Sequence, residues 1–322
     1  MLKHRLLMSA LLIPATIGLF YWDDQFGLKA PILFVIVLVI SARCVWELVV
    51  LSRVAGFRPN LSLCWIWTAT LLFAGWAPNL YPMSAAALIF KNGHAPFGWL
   101  AAMAMSILLM AMIRFRSPDP TSDCAAMQTL DSMNRAAGNP TNQSSEPRAG
   151  FHLGSAGIEF LIINYVGVLM VVTAQLRWVD QGGYFALSAL VIATKMGDVG
   201  AYTFGRLIGG PKMVPRLSPG KTWAGGVGHL VTAGLCSAAW LCWIGPKVSS
   251  FWFAWGFWPA IVFGVVVGFA GLIGDLVESL IKRDVGVKDA PALLPGFGGL
   301  LDLMDSILLA GPVAYAMWLQ LR

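Results

Sequence analysis

Nine long runs of apolar residues alternate with polar segments along this 322-residue chain. The runs cover approximately 6–22, 31–51, 61–80, 97–113, 157–176, 183–201, 224–245, 252–275 and 297–320. Most of them approach the roughly 20 residues that a helix needs to cross a bilayer core of about 30 Å. Because backbone amides in hydrocarbon have only intrachain partners, each run is predicted to be helical. The pattern therefore predicts an all-α polytopic integral membrane protein with about nine transmembrane helices.

The composition argues against a water-soluble fold. Hydrophobic residues make up 57% of the chain and charged residues only 12%, with a mean hydropathy of +0.71, whereas soluble domains carry about one-quarter charged residues. We expect a bacterial cytoplasmic (inner) membrane protein.

The basic residues predict the orientation of the chain in the membrane. If the N-terminus is inside, most of the 22 Lys and Arg residues fall in cytoplasmic segments, so the positive-inside rule favours N-in/C-out. Topology and an anionic substrate explain the net charge of +6 better than a nucleic-acid partner does. This orientation puts the polar segments 202–223 and 276–296 on the same cytoplasmic side, where they could form one active site.

One long polar segment divides the chain. Residues 117–150 are rich in Ser, Pro, Asn and Asp and poor in branched apolar residues, a composition typical of flexible linkers. We predict N-terminal transmembrane helices over 1–116, a flexible cytoplasmic loop over 117–156 and a C-terminal transmembrane catalytic domain over 157–322.

The end of the eighth run carries the first candidate chemistry. Asp275, Glu278, Ser279 and Lys282 have the i, i+3, i+4, i+7 spacing that places them on one helix face, and Arg283 follows directly. A solvated helix end with an ion pair between Glu278 and Lys282 would explain part of this pattern. Asp275 argues for more, because a charge inside a span costs about 2.5–3.5 kcal/mol at the membrane centre unless it is paired, metal-bound or hydrated. A cation site would account for it.

The last run repeats this pattern. Asp302 and Asp305 lie i,i+3 just inside an apolar run, and the polar segment before the run holds Lys288 and Asp289. The string PGFGG at 295–299 lets the backbone approach a ligand or another helix, and the amides that follow could bind an anion. A Gly-Pro break before the last span explains the glycines but leaves both aspartates unexplained.

A third cluster follows the sixth run. Asp198 lies near the end of that run, and the segment SPGKT supplies Ser218, Lys221 and Thr222 in a predicted turn. Hydroxyls, backbone amides and an ammonium group suit triphosphate oxygens. The segment is not a P-loop, because the full Gly-x-x-x-x-Gly-Lys-Thr spacing and the preceding strand are missing.

Together these clusters predict acids and bases gathered at one membrane face. Carboxylates that hold Mg²⁺ and cations that hold phosphates are what phosphoryl or nucleotidyl transfer requires. From the residues alone we infer a membrane-bound, metal-dependent enzyme acting on phosphates, with one or two Mg²⁺ ions. The clustered residues are Asp198, Asp275, Glu278, Asp289, Asp302 and Asp305, with Lys221, Lys282, Arg283 and Lys288.

Four strings within residues 195–306 resemble the phosphatidate cytidylyltransferase family, the CDP-diacylglycerol synthases. ESLIKRDVGVKD and LLPGFGGLLDLMDS are similar to its C-terminal signature, while GDVGAYTFGRLIGG and LSPGKTWAG are similar to its upstream block. The resemblance implies Mg²⁺-assisted transfer of CMP from CTP to phosphatidic acid, giving CDP-diacylglycerol and pyrophosphate. It also suggests a homodimer.

The resemblance assigns roles to matching positions. The implied metal ligands are Asp198, Asp275, Asp302 and Asp305. The residues implied to bind CTP or its phosphates are Ser218, Lys221, Thr222, Asp198, Glu278 and Ser279. The catalytic set is Asp275, Lys282, Arg283, Lys288, Asp289, Asp302 and Asp305, in which the basic residues would hold lipid phosphate or CTP; Ser279 and Asp289 match the signature without an individual role.

Three positions depart from the usual family pattern. Phe297 stands where a histidine is common, Leu303 where an arginine usually follows the aspartate, and Ala224 where a glutamate often follows KTW. These changes remove a possible phosphate donor and a bidentate phosphate contact. Because the acids remain, we expect activity to persist, with a changed lipid acceptor or a divergent subfamily as alternatives.

Two other functions fit parts of the sequence. A CTP-dependent lipid kinase of the dolichol or phytol kinase type is similar around the C-terminal strings. An anion transporter would also contain intramembrane acids and helix breaks at Gly and Pro, but there are no paired half-repeats to support it.

Arg43 and Glu47 lie i,i+4 within the second run, and we interpret them as an intrahelical pair that neutralises two costly charges. The four histidines, His229 among them, are scattered, so no histidine metal site is expected.

Overall fold

A computed structural model of the chain describes residues 18–80, 153–179, 183–215, 217–248, 255–287 and 299–320. Long helices and one short hairpin make up most of this part. The helices are α1 (Pro31–Val54), α2 (Leu61–Leu80), α3 (Leu153–Ile162, continued by Ile163–Val168, Leu169–Ala174 and Gln175–Trp178), α4 (Tyr184–Leu207), α5 (Trp223–Ala239, continued by Trp240–Ile244 and Gly245–Val248), α6 (Phe257–Asp284) and α7 (Leu300–Gln320). The hairpin strands are β1 (Lys212–Val214) and β2 (Ser218–Thr222). A short helix over 18–24 and a 3-10 turn, Gly27–Lys29, precede α1.

Within the described residues, five helices are long and apolar enough to cross a membrane, which confirms the prediction of a helical membrane protein. They are Pro31–Val54, Gly154–Trp178, Trp223–Lys247, Phe257–Asp284 and Leu300–Gln320. The apolar stretch of α2 is shorter, and α4 carries several charged residues. The predicted run 97–113 and most of 6–22 lie outside the described residues, so nine spans and the N-in/C-out orientation stay predictions.

The all-α prediction misses one element, because residues 212–222 form a two-stranded antiparallel hairpin. Lys212 pairs with Thr222, and Val214 pairs with Ser218. The sequence predicts a turn over 218–222, since Pro219 is typical of turns. Within the hairpin β2 pairs with a single strand, and proline is tolerated in such an edge strand.

In the C-terminal half, from α4 to α7, each helix packs against the next one along the chain. Helix α5 packs against α4 and α6, α6 packs against α7, and α7 also contacts α3 and α4. Lipid supplies little hydrophobic force between helices, so close approach through small residues matters. At one such approach, a Cβ on Gly264 of α6 would lie 2.6 Å from the Ser237 Cβ of α5.

The N-terminal helices are part of the same bundle. Helix α1 packs against α2 and also contacts α7, while α2 packs against Ile163–Val168, the π-helical segment of α3. Large apolar side chains point outward within the described part, as expected of surfaces that face lipid. They include Val35, Val39, Ile66, Phe73, Val262 and Phe269.

Polar groups from several segments meet at one end of the bundle, which we call the polar end. It is formed by the C-terminal parts of α4 and α6, the hairpin, and the first turns of α5 and α7, and the contacts described below join these parts. The segments 202–223 and 276–287 therefore lie at the same end, as the sequence predicts.

Candidate active site

Three carboxylates converge at the centre of the polar end. Asp275 and Glu278 come from α6, and Asp305 comes from α7. One ligand oxygen from each lies within 4.8 Å of the other two. Glu278 is 2% exposed and Asp305 is 4% exposed. We call these three residues the carboxylate trio.

The close approach of α6 and α7 brings the trio together. Gly274 precedes Asp275, and a Cβ at this position would lie 2.5 Å from the carbonyl oxygen of Asp305. The absence of a side chain at Gly274 thus lets the α7 backbone lie directly against α6. The i,i+3 spacing of Asp275 and Glu278 then directs both carboxylates towards Asp305.

Two lysines contact these acids. Lys282 Nζ lies 3.1 Å from Glu278 Oε1 and 2.6 Å from Asp302 Oδ1. Lys221 Nζ, from β2, lies 2.8 Å from Asp275 Oδ2. These contacts join the hairpin, α6 and α7 through opposite charges.

The described acids of the polar end outnumber the bases that pair with them. Five carboxylates, of Asp198, Asp275, Glu278, Asp302 and Asp305, contact or neighbour three ammonium groups, of Lys195, Lys221 and Lys282. This leaves a formal excess of two negative charges in a half-buried region. Carboxylate oxygens are the ligands that Mg²⁺ prefers, so the trio fits one small divalent cation by charge and by donor type.

Asp302 lies beside the trio and has fixed partners. Its Oδ1 accepts a hydrogen bond from Lys282 Nζ, and its Oδ2 accepts one from the Gly299 amide at 3.1 Å. The second contact is the reach-back half of a capping box at the start of α7. The residues that converge are therefore Asp275, Glu278 and Asp305, and direct metal ligation by Asp302 stays a prediction.

Asp198 extends the polar end towards α4 and α5. Its Oδ2 lies 3.5 Å from Lys195 Nζ, which also donates a hydrogen bond to the Leu303 carbonyl at 2.8 Å. On its other side, Asp198 Oδ1 lies 3.8 Å from Nδ1 of His229. Its predicted role as a metal ligand also stays a prediction.

His229 and Lys195 are not predicted as site residues from the sequence. The His229 ring is buried in α5, with Nε2 2.9 Å from the Gly268 carbonyl oxygen. Because a carbonyl only accepts, Nε2 carries the proton of this bond, and Nδ1 faces Asp198. The i,i+3 spacing of Lys195 and Asp198 could have identified Lys195 from the sequence. For His229 the sequence shows only that it lies in the glycine-rich first part of a helix.

The hairpin contributes three predicted residues in different ways. Lys221 reaches the trio, whereas the Thr222 hydroxyl accepts a hydrogen bond from the Gly225 amide at 3.1 Å and so caps α5. Ser218 is half-buried in β2. Arg283 Nε donates to the Leu217 carbonyl at 3.3 Å, which ties the end of α6 to the hairpin.

The remaining predicted residues have no described contact with the carboxylate trio or its lysines. Ser279 is half-buried on α6. Lys288, Asp289 and the divergent Phe297 lie outside the described residues. At Leu303, one of the three positions that depart from the pattern of the resemblance, the Lys195 ammonium group contacts the backbone carbonyl, so a positive charge is present near this position.

The same acids and bases lie in a chain whose sequence matches a known family. The model of the cytidylyltransferase family matches residues 3–321. The chain belongs to this family. The match confirms the resemblance seen in the four sequence strings, and it extends over almost the whole chain.

Individual relatives of the family align with shorter regions. A phosphatidate cytidylyltransferase of Brucella melitensis is 36% identical over 154 residues, which are 47% of this chain and 53% of that protein. One of Mycobacterium leprae is 41% identical over 147 residues, 45% of this chain and 44% of that protein. The uncharacterized protein YnbB of Escherichia coli K12 is 36% identical over 156 residues, 48% of either chain. The chain thus spans about half the length of the curated relatives it matches.

Proposed function

We propose that this protein is a phosphatidate cytidylyltransferase, which transfers CMP from CTP to phosphatidic acid and forms CDP-diacylglycerol and pyrophosphate. The observation that carries the proposal is the carboxylate trio with lysines on either side, in a helical membrane protein of the cytidylyltransferase family. The names of the Brucella and Mycobacterium relatives support the same reaction.

The proposed reaction balances without an added co-reactant. A phosphate oxygen of the lipid forms a bond to the α-phosphorus of CTP, and the bond from that phosphorus to the bridging oxygen of the β-phosphate breaks. Pyrophosphate leaves with the electron pair of that bond. Catalysis of such a step consists of positioning and charge neutralisation.

The described residues divide these tasks. Asp275, Glu278 and Asp305 would hold Mg²⁺, which supplies charge neutralisation for the nucleotide phosphates. Lys221 and Lys282 would bind phosphate oxygens, because each already lies against a site acid and can exchange that contact for substrate. We further propose that the polar end faces the cytoplasm at the bacterial inner membrane, where CTP is available. A homodimer stays a prediction of the family resemblance.

Labelled CTP distinguishes this function from its alternatives. Purified protein in liposomes with phosphatidic acid and Mg²⁺ should transfer label from the cytidine into lipid, and EDTA should abolish the transfer. Label entering lipid only from the γ-phosphate would instead indicate a lipid kinase. Uptake of an anion without CTP consumption would indicate a transporter.

A further inference from the structure

The N-terminus of α7 is bound by a carboxylate from a distant helix. Glu47 of α1 is fully buried, and its Oε1 and Oε2 accept hydrogen bonds from the Leu300 and Leu301 amides, both at 2.9 Å. Arg43 Nε donates to Oε1 at 2.8 Å. The intrahelical pair predicted from the sequence is present, but Glu47 also spans two amides of another helix.

Helix α7 needs such a contact because of its own sequence. The first amides of a helix have no intrahelical acceptor, and a buried amide without an acceptor is destabilising. Gly299, directly before α7, has no side chain that could accept from the following amides. A carboxylate at this end also interacts favourably with the helix dipole. Glu47 thus provides from α1 the cap that Gly299 lacks.

The capped turn carries Asp302 and leads directly into the turn that carries Asp305. Asp302 follows Leu301 directly and binds Lys282 and the Gly299 amide, and Asp305 lies one turn further in the carboxylate trio. A change in the position or tilt of this first turn therefore moves both aspartates relative to α6.

We propose that Glu47 is a positioning residue of the active site, which fixes the first turn of α7 so that Asp305 completes the cation site with Asp275 and Glu278. The inference rests on the proposed function for its importance in turnover, but it can be tested by cation binding alone. It assigns a role in the site to α1, which lies outside the four strings at 195–306.

Glu47→Gln is the direct test, with Mn²⁺ as the probe. The glutamine oxygen can accept from one amide, but its NH₂ group faces the other amide and cannot accept. We expect the Mn²⁺ dissociation constant, measured by electron paramagnetic resonance on purified protein, to rise about 10- to 100-fold, as for other groups that orient metal ligands. The Mg²⁺ concentration for half-maximal turnover should rise in parallel, and high Mg²⁺ should restore much of the rate.

Glu159→Gln is the matched control. Glu159 of α3 is also fully buried, and its Oε1 accepts from the Asn60 amide at the start of α2, a helix without acids of the site. We expect this variant to lose thermal stability while its Mn²⁺ affinity stays within about twofold of wild type, a change of less than about 0.5 kcal/mol. An equal loss of affinity in both variants would overturn the proposal, since it would indicate general destabilisation.

The double variant Arg43→Gln with Glu47→Gln separates positioning from charge neutralisation. If Glu47 only neutralises Arg43, the double variant should regain wild-type Mn²⁺ affinity, and this result would overturn the proposal. We expect it to bind as weakly as Glu47→Gln alone. If Glu47→Gln does not fold, Glu47→Asp is the alternative variant, because it keeps the charge but is too short to span both amides. Wild-type Mn²⁺ affinity in Glu47→Asp would also overturn the proposal.

Failure of the proposed function has a different signature. Wild-type protein that binds Mn²⁺, with weaker binding in Glu47→Gln, but that transfers no cytidylyl group to phosphatidic acid would refute the proposed reaction and leave the positioning role intact. Wild-type protein that binds no Mn²⁺ would overturn the positioning role itself.

Discussion

Buried carboxylates lie at both ends of the bundle, but their surroundings differ. At the end opposite the site, Asp23 Oδ1 accepts from the Ile32 amide at 2.7 Å, and its Oδ2 contacts the Tyr184 hydroxyl. Arg177 lies over the Tyr184 ring and donates to Asp24 Oδ1 and to the Gly27 carbonyl, both at 3.0 Å. Each oxygen of Asp23 therefore has a fixed donor from the protein.

At the polar end, the carboxylates of the trio face one another. Asp275, Glu278 and Asp305 gather oxygens within 4.8 Å, and nearby lysines balance only part of their charge. Both oxygens of Asp23 are held by donors from the protein. The trio acids also have protein donors, but their oxygens face one another, and the proposed cation would lie between them. About 20 Å separate the regions, since Tyr184 and Asp198 are 14 residues apart on α4 at 1.5 Å per residue.

Asp305→Asn should have the largest effect on activity. If the trio holds the proposed cation, this change removes one of its ligands, and a loss of metal-derived stabilisation of several kcal/mol corresponds to about a 1,000-fold loss of kcat. The same change at the other end, Asp23→Asn, should leave kcat within about twofold, less than about 0.5 kcal/mol. Comparable kcat values for Asp305→Asn and wild type would contradict the claim that the acids of the polar end, unlike Asp23, serve catalysis.

Lys282→Met should reduce both activity and stability. Its ammonium group contacts Glu278 and Asp302, so the substitution leaves two acids without their shared cation. Removing one partner of a buried ion pair costs about 3 kcal/mol or more. Thermal unfolding in detergent should show this loss, and added Mg²⁺ should recover part of it, because a divalent cation can replace some of the missing charge. Unchanged stability would show that the pair is solvated.

Asp23→Ala should affect stability alone. The Ile32 amide and the Tyr184 hydroxyl would each lose an acceptor, at a combined cost of about 2 kcal/mol. We expect a lower unfolding temperature in detergent with an unchanged Mg²⁺ dependence of turnover. A shift in that dependence would mean that the two ends are coupled.

Asp24→Ala should have the smallest effect. Asp24 pairs with Arg177, but its side chain is 61% exposed, and exposed ion pairs contribute less than about 1 kcal/mol. Arg177 keeps its contacts with the Gly27 carbonyl and the Tyr184 ring. A stability loss as large as that of Asp23→Ala would show that Arg177 depends on Asp24.

Local spacing predicts part of the site and misses the contacts between distant segments. The i,i+3 pattern places Asp275 and Glu278 on one helix face, and α6 confirms it. The same pattern on α7 cannot tell that Asp302 turns towards Lys282 while only Asp305 joins the trio. That difference depends on where Gly274 lets the helices touch.

Two misses have the same physical origin. Glu47 is 253 residues from Leu300 along the chain, so its contact with α7 leaves no mark in the spacing of residues around it; only the intrahelical pair with Arg43 is visible. The sequence does not predict the hairpin, because Pro219 and Gly220 favour a turn locally. The strand β2 forms only through its hydrogen bonds to β1, which local residue preferences do not specify.

The most direct measurement is an experimental structure of the protein with bound Mn²⁺, located by anomalous scattering. Our account predicts one Mn²⁺ held by oxygens of Asp275, Glu278 and Asp305, at about 2.1–2.2 Å, close to the Mg²⁺–oxygen distance. Saturating Mn²⁺ with no ion between these three carboxylates, or with the carboxylates directed apart, would contradict the account.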